Sequence, residues 1–150
     1  MADNLNDFAR RIRLHAARVQ PGADEAVIAA ATGVATELVE STPIDTGRAI
    51  SNWGATLGTQ PIPYRPAAVP GSKGSTRQAT IAEALGRMLR VIQGYRSGGR
   101  KGDGRSINIV NGAPYIGRLN AGSSSQAPAG FIEAAIQRGR AAIRNVRILG

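Results

Sequence analysis

The chain has 150 residues, of which 42% are hydrophobic and 4% aromatic, so it is expected to form one domain with a modest, mainly aliphatic core. It has no cysteine, which excludes disulfides, a cysteine nucleophile and a zinc site with thiolate ligands. The net charge of +9 is uneven, because residues 21–45 hold five acidic and no basic side chains whereas residues 46–150 carry +12. This asymmetry favours an anionic partner or head-to-tail contact between copies about as much as simple solvation.

The first forty residues carry two helical patterns. In each, apolar side chains recur at spacings of three and four: Leu5, Phe8, Ile12, Ala16 and Val19, then Val27, Ala31, Val34 and Leu38. Pro21 and Gly22 lie between the patterns, and the sequence leaves open whether they separate two helices or kink one long helix. Pro43 ends the second pattern, because a proline disfavours helical backbone at the residue before it.

A polar corner and a strand follow. Asp45 and Thr46 can bond their own backbone a residue or two further on, and Gly47 can take positive φ at little cost. A spacing of two then places three apolar side chains on one face of a strand near residues 52–58, namely Trp53, Ala55 and Leu57. The segment is therefore predicted as a helix, a sharp corner and a strand with one buried face.

A proline-rich connection precedes the middle helix. Four prolines in residues 60–70 exclude a regular element there. The whole connection exceeds about 15 residues, a length usually associated with function or disorder. Ser75 or Thr76 can then cap a helix that Gly94 ends. The predicted apolar face of this helix is Ile81, Leu85, Met88, Leu89 and Ile92.

The last third holds a basic loop, a second strand and a final helix. Residues 96–105 are a glycine-rich basic loop, and the strand after it places Ile107 and Ile109 on one face. The final helix begins between residues 128 and 131, with an inward face predicted at Ile132, Ala135, Ile136 and Ile143. The fold class is therefore predicted as α+β in one domain over residues 1–150. It would contain N-terminal helices, a small mostly antiparallel sheet, a middle helix, a C-terminal helix and two long loops rich in glycine and proline.

Few residues indicate catalytic chemistry. His15 is the only histidine, and it borders the apolar face of the first pattern, where a packed or surface histidine is far more common than a general base. Residues 71–76 depart from a phosphate-binding loop, because Lys73 precedes the second glycine instead of following it. We expect no enzyme activity, no catalytic or metal-binding residue and no cofactor. With neither a signal-peptide pattern nor an apolar run approaching ~20 residues, a soluble, non-secreted chain is expected.

The basic loop suggests an alternative function. Arg96, Arg100, Lys101 and Arg105 are close in sequence, and Tyr95 before them could stack on a base. Such a loop can follow a phosphate backbone with strong salt dependence and little sequence selectivity. The alternative hypothesis is therefore a sequence-tolerant nucleic-acid-binding protein, although no recognition-helix or zinc-finger signature accompanies the loop.

Two segments resemble one protein family. The first contains Pro43, Asp45, Thr46, Gly47, Arg48 and Trp53; the second contains Asn111, Pro114, Tyr115, Leu119, Gly122, Ser124, Gln126, Ala127, Pro128 and Gly130. In this order they are similar to the tail-completion, or neck, proteins of long-tailed bacteriophages, the minor tail protein Z type. The second segment departs from the family pattern at Asn120, where a glutamate is usual, and it lacks the aromatic residue often found before the serine.

The resemblance implies a structural virion protein that completes the head-proximal end of the tail. It implies a ring of six copies between the head connector or head-completion protein and the tail terminator or tail tube protein, with DNA passing through the lumen. Such a protein would be assembled in the host cytoplasm, lie in the neck of the virion and have no membrane partner. Loops 60–77 and 96–105 are expected at interfaces, and the candidate interface or DNA-facing residues are Arg48, Arg96, Arg100, Lys101 and Arg105.

Overall fold

The computed structural model describes residues 2–58, 60–97 and 106–142. The first element, α1 (Ala2–Ser41), is a single helix of 40 residues, about 60 Å long at 1.5 Å per residue. It runs through Pro21 and Gly22 without interruption, so the two sequence patterns belong to one helix. The apolar positions predicted before Pro21 lie outside the described side chains, and so does His15.

In the described ranges, four further helices and two strands follow α1: α2 (Arg48–Ser51), β1 (Trp53–Leu57), α3 (Arg77–Ile92), β2 (Ile107–Asn111), α4 (Ile116–Asn120) and α5 (Phe131–Ala142). The strands form an antiparallel pair in which Trp53 lies opposite Asn111 and Leu57 opposite Ile107. Ile107 and Ile109 pack against the core, as predicted from their spacing. The predicted α+β class is confirmed, and α2 and α4 are two short helices that no sequence pattern indicates.

The described core-facing residues of α1 lie in its second half. Its buried and half-buried residues there include Ala31, Val34, Ala35, Leu38 and Val39. Val27 is 37% exposed, so its predicted place in the buried stripe is wrong. Ala26 is buried at that level instead. Because successive residues lie about 100° apart around a helix, the inward face there is rotated by one position.

The corner after α1 is held partly by hydrogen bonds within its own turn and partly by a bond from a distant segment of the chain. Gly47 has a φ of 86°, the left-handed conformation predicted for it. Thr46 Oγ1 accepts a 3.4 Å hydrogen bond from the N–H of Arg48, also as predicted. The prediction of a local bond is wrong for Asp45, whose Oδ1 accepts from the N–H of Lys73, 2.8 Å away and 28 residues further along the chain. The loop before α3 therefore helps to hold the corner.

α3 supplies the centre of the core. The residues of its predicted apolar face are confirmed, with Met88 and Ile92 fully buried and the others half-buried. The predicted cap by a hydroxyl is wrong for Thr76, which stands at the N-cap but bonds no helix N–H. Its hydroxyl instead donates to the carbonyl of Val69 at 2.9 Å, which ties the preceding loop to the helix start.

α5 packs against α1, with Gly139 lying beside Ala30 and Val34. Phe131, Ala135 and Gly139, at spacings of four, are buried on its inward side. Ile136 is 40% exposed, so its predicted inward position is wrong, because it lies about 100° around the helix from Ala135. Ile143 lies outside the described residues. No helix in the described part of the chain is long and apolar enough to cross a membrane.

Candidate functional site

The two segments that resemble the phage family meet at the corner between α1 and β1. Ile44 of the first segment and Gln126 of the second, 82 residues apart, are joined by two hydrogen bonds. Gln126 Oε1 accepts from the Ile44 N–H, and Gln126 Nε2 donates to the Ile44 carbonyl, both at 2.9 Å. A glutamine can satisfy both main-chain groups because its amide carries an acceptor beside a donor. We call this double contact the Gln126–Ile44 clamp.

A second set of bonds connects α1 to the strand through the only tryptophan of the chain. Trp53 is 4% exposed, and its Nε1–H donates to Thr42 Oγ1 at 2.8 Å. The Thr42 hydroxyl donates in turn to the carbonyl of Leu38 at 2.5 Å. The predicted burial of Trp53 is confirmed. The sequence pattern assigns no role to Thr42, although a buried indole N–H needs an acceptor nearby.

Two asparagines fix the backbone at one end of the sheet, where β1 begins and β2 ends. Asn111 Nδ2 donates to the carbonyl of Ala49 at 2.9 Å, and its Oδ1 accepts from the N–H of Ala113 at 2.8 Å. Asn52 is fully buried, and its amide bonds both the carbonyl of Arg65 at 2.8 Å and the Arg65 N–H at 2.9 Å. Asn111 therefore shapes the turn after β2, and Asn52 holds the proline-rich loop against the corner.

Arg87 on α3 is a structural residue that the sequence does not reveal. Its guanidinium donates to the carbonyls of Ser51 and Trp53 at 3.0 Å each. It also forms an ion pair with Glu83, one helical turn earlier, at 3.1 Å. The spacing of four between Glu83 and Arg87 is a sequence signal for the ion pair, but nothing local marks the two carbonyls. Arg87 therefore ties the start of β1 to α3.

A cleft of about 380 Å³ opens between the two segments. Among the residues that line it are six predicted motif positions: Pro43, Asp45, Thr46, Arg48, Tyr115 and Gln126. Pro114 is exposed, and Pro128 lines a separate pocket of about 260 Å³ beside Phe131 and Arg77. The structure thus brings together six of the predicted positions around one opening, whereas Gly47, Trp53 and Asn111 do not line it.

Arg48 and Tyr115 are two hydrogen-bond donors that line this cleft. Partial burial raises the pKa of the Tyr115 hydroxyl above its ordinary value, the neighbouring Tyr64 raises it further, and Arg48 offsets part of the rise. The hydroxyl is therefore protonated, and a donor, at neutral pH. Neither the Arg48 guanidinium nor the Tyr115 hydroxyl donates a hydrogen bond to any described residue. Of the two roles predicted for Arg48, the contact with a backbone carbonyl is therefore absent from the described chain, and the contact with a neighbouring subunit stays a prediction.

The residues behind the nucleic-acid alternative do not form a described surface. Tyr95 is 7% exposed, so its predicted role as a stacking neighbour is wrong. The Arg96 guanidinium donates to the carbonyls of Gln93 and Tyr95 at 3.2 and 2.5 Å, which stabilises the end of α3. The remaining basic positions, Arg100, Lys101 and Arg105, lie outside the described residues. The alternative therefore stays a prediction from the sequence.

The polar groups of the cleft indicate binding by hydrogen bonds. Across the described ranges, no group of three or more His, Cys, Asp or Glu side chains is placed to hold a metal ion.

No protein-family model, curated protein or solved structure matches the chain. The resemblance to the phage family is therefore carried by the residues of the two segments alone.

Proposed function

We propose that the protein is a structural component of a long-tailed phage virion that completes the head-proximal end of the tail and joins it to the head. In this role, copies form a ring around the DNA channel. One face of the ring contacts the head connector or head-completion protein, and the other contacts the tail terminator or tail tube protein. The proposal originates in the resemblance of the two segments, which the sequence carries in the family's order.

The Gln126–Ile44 clamp is the observation that supports the proposal most. The two segments are far apart in sequence, yet the clamp joins them directly. The residues that resemble the family therefore belong to one unit of the fold and not to two unrelated turns. Within this unit Gln126, Asn111 and Thr42 bond main-chain or side-chain groups of their own chain, as expected of residues with a structural role.

Particles made without the chain provide the test. We expect DNA-filled heads and separate tails, seen by electron microscopy, and a loss of infectious titre. Purified wild-type protein added to these parts should restore joining. An Arg90→Ala variant, changed at an exposed position of α3, should restore it equally well. Joined, infectious particles that contain no copy of the chain would contradict the proposal.

The nucleic-acid alternative predicts a different result. A sequence-tolerant binder should bind duplex DNA tightly at low salt and lose affinity steeply as the salt concentration rises. Fluorescence anisotropy with labelled duplexes of unrelated sequence measures both properties. Strong salt-sensitive binding, together with normal joining of particles that lack the chain, would favour the alternative over the neck role.

A further inference from the structure

The cleft presents hydrogen-bond donors that lack acceptors. Arg48 is exposed at its rim, and the half-buried Tyr115 lines it. Asp45 also lines the cleft, but its Oδ1 already accepts from the N–H of Lys73. A guanidinium and a hydroxyl that both donate into one opening suit a carboxylate, which accepts several hydrogen bonds and carries the opposite charge to arginine.

The acidic stretch of the same chain offers such a carboxylate. Asp24 accepts a hydrogen bond from a main-chain N–H, and Glu37 pairs with an arginine of α5. Glu40 is exposed but directly adjoins the corner. Glu25 is also exposed, and no described residue pairs with its carboxylate. Among the described acids of residues 21–45, Glu25 is thus the unpaired one furthest from the cleft.

Glu25 and the cleft lie at opposite ends of the second half of α1. At 1.5 Å per residue, Glu25 lies about 24 Å along the helix from Ser41, which precedes the corner. The hydrogen bond from the Ser97 N–H to Asp24 places the segment after α3 at the Glu25 end. The Gln126–Ile44 clamp holds the cleft at the other end. Glu25 therefore cannot reach the cleft of its own chain.

We propose that Glu25 of one copy binds in the Arg48–Tyr115 cleft of the next copy, so that the copies associate head to tail. The contact joins two different surfaces of the same chain, and contacts of this kind close into a ring or continue as a filament. The inference deepens the proposed function and rests on it, since it names the two surfaces that would form the ring. The carboxylate of Glu25 and the guanidinium of Arg48 then attract each other between copies.

Cysteine cross-linking tests the contact, because the chain has no cysteine of its own. Thr46→Cys places a thiol in the cleft lining, and Ala29→Cys places one a helical turn from Glu25. Glu25 and Arg48 stay intact in this double variant. With a short bis-maleimide, we expect a ladder of multimers on denaturing gels, both from concentrated protein and from assembled particles. Each single-cysteine variant should run as a monomer on these gels, because like ends do not meet and no cross-link forms.

Two matched controls separate the contact from random collision. Ala29→Cys combined with Arg90→Cys should give no ladder, because Arg90 lies outside the cleft lining. Arg48→Glu added to the Thr46/Ala29 cysteine pair should reduce multimers by about tenfold or more, since like charges would then face each other. Adding Glu25→Arg to that variant should restore the ladder. Unchanged thermal unfolding of the Arg48→Glu protein would show that the loss is not misfolding.

The opposite results overturn the inference. A ladder of equal strength from the Ala29/Arg90 cysteine pair, efficient dimers from a single-cysteine variant, or no ladder from either protein or particles would each do so. Failure to restore the ladder by the charge exchange would do so too. Electron microscopy of particles lacking the chain decides the neck role separately, so particles that need the chain but give no ladder would refute only the contact.

Discussion

The side-chain amide of Gln126 pairs with both main-chain groups of Ile44, its Oε1 accepting from the N–H and its Nε2 donating to the carbonyl, each at 2.9 Å. The side chain thereby takes the place that a neighbouring strand would have beside this residue. Ile44 is buried, so without this partner its peptide groups would be left unpaired. The identity of the residue matters, because an acid offers only acceptors and a lysine only donors.

Replacing Gln126 should therefore weaken the fold at the corner. We expect Gln126→Ala to lower the free energy of unfolding by about 1 to 2 kcal/mol, since two hydrogen bonds to a buried peptide are lost. Chemical denaturation measures the change. Gln78→Ala, at an exposed position in the first turn of α3, is the matched control and should change little. Equal stabilities of the two variants would show that the clamp contributes nothing.

Removing the hydroxyl of Thr42 should leave the buried indole N–H of Trp53 without an acceptor. Thr42→Val keeps the shape of the side chain, and we expect it to destabilise the fold by about 1 to 3 kcal/mol. Trp53 is the only tryptophan, so its fluorescence follows the unfolding directly. Thr36→Val is the control, because the Thr36 hydroxyl bonds only within α1. A Thr42 variant as stable as the Thr36 variant would contradict the assigned role.

The packing of α5 on α1 should not tolerate a side chain at Gly139. A Cβ there would overlap Val34 Cγ2 and lie 2.9 Å from the carbonyl oxygen of Ala30. We expect Gly139→Ala to destabilise the fold by about 1 to 3 kcal/mol through overpacking. Gly86→Ala on α3, where a Cβ meets nothing within 4 Å, should instead stabilise it by about 0.5 to 1 kcal/mol. Thermal unfolding of both variants measures the opposite signs.

The pKa of Glu133 should depend on Asn120. The Asn120 amide donates to the Glu133 carboxylate, and this bond is the main cause that lowers the pKa of Glu133 below its ordinary 4.5. The stabilisation is therefore present above pH 4.5 and is lost as the pH falls through the lowered pKa. Asn120→Ala should raise the pKa toward 4.5, and Asn120→Glu should raise it further by like-charge repulsion. NMR titration of Glu133 measures both shifts, and an unchanged pKa in both variants would contradict the assignment.

Local patterns in the sequence predict the helices and strands well, but they predict less well which residues at the margin of a helix face are buried. The strand at Trp53–Leu57 and the apolar face of α3 are both confirmed, because these periods reflect local backbone geometry. The predicted alternation along the strand is only partly confirmed, since Trp53 and Ala55 are buried but Leu57 is half-buried. Val27 and Ile136 are predicted to face inward and are exposed. Periodicity identifies the centre of a helix face, whereas the packing of α1 on α5 decides how wide a part of that face is covered.

The candidate site is predictable in its residues but not in its contacts. The resemblance points to Asp45, Arg48 and Gln126, and all three line the cleft. Their partners do not follow from the sequence, because the bond from Lys73 to Asp45 depends on how distant segments meet. The structural role of Arg87 cannot be predicted for the same reason, since the carbonyls that it bonds lie on other elements.

The Gln126–Ile44 clamp also determines when the cleft comes into existence. Its two residues are 82 positions apart, and Asn111 reaches back 62 positions to Ala49. Both contacts need residues from the second half of the chain, and a long loop must close before they form. In the proposed head-to-tail contact, a chain synthesised only to residue 110 would therefore carry Glu25 but lack Tyr115 and Gln126, and with them the cleft. We expect only finished subunits to receive the Glu25 of another copy.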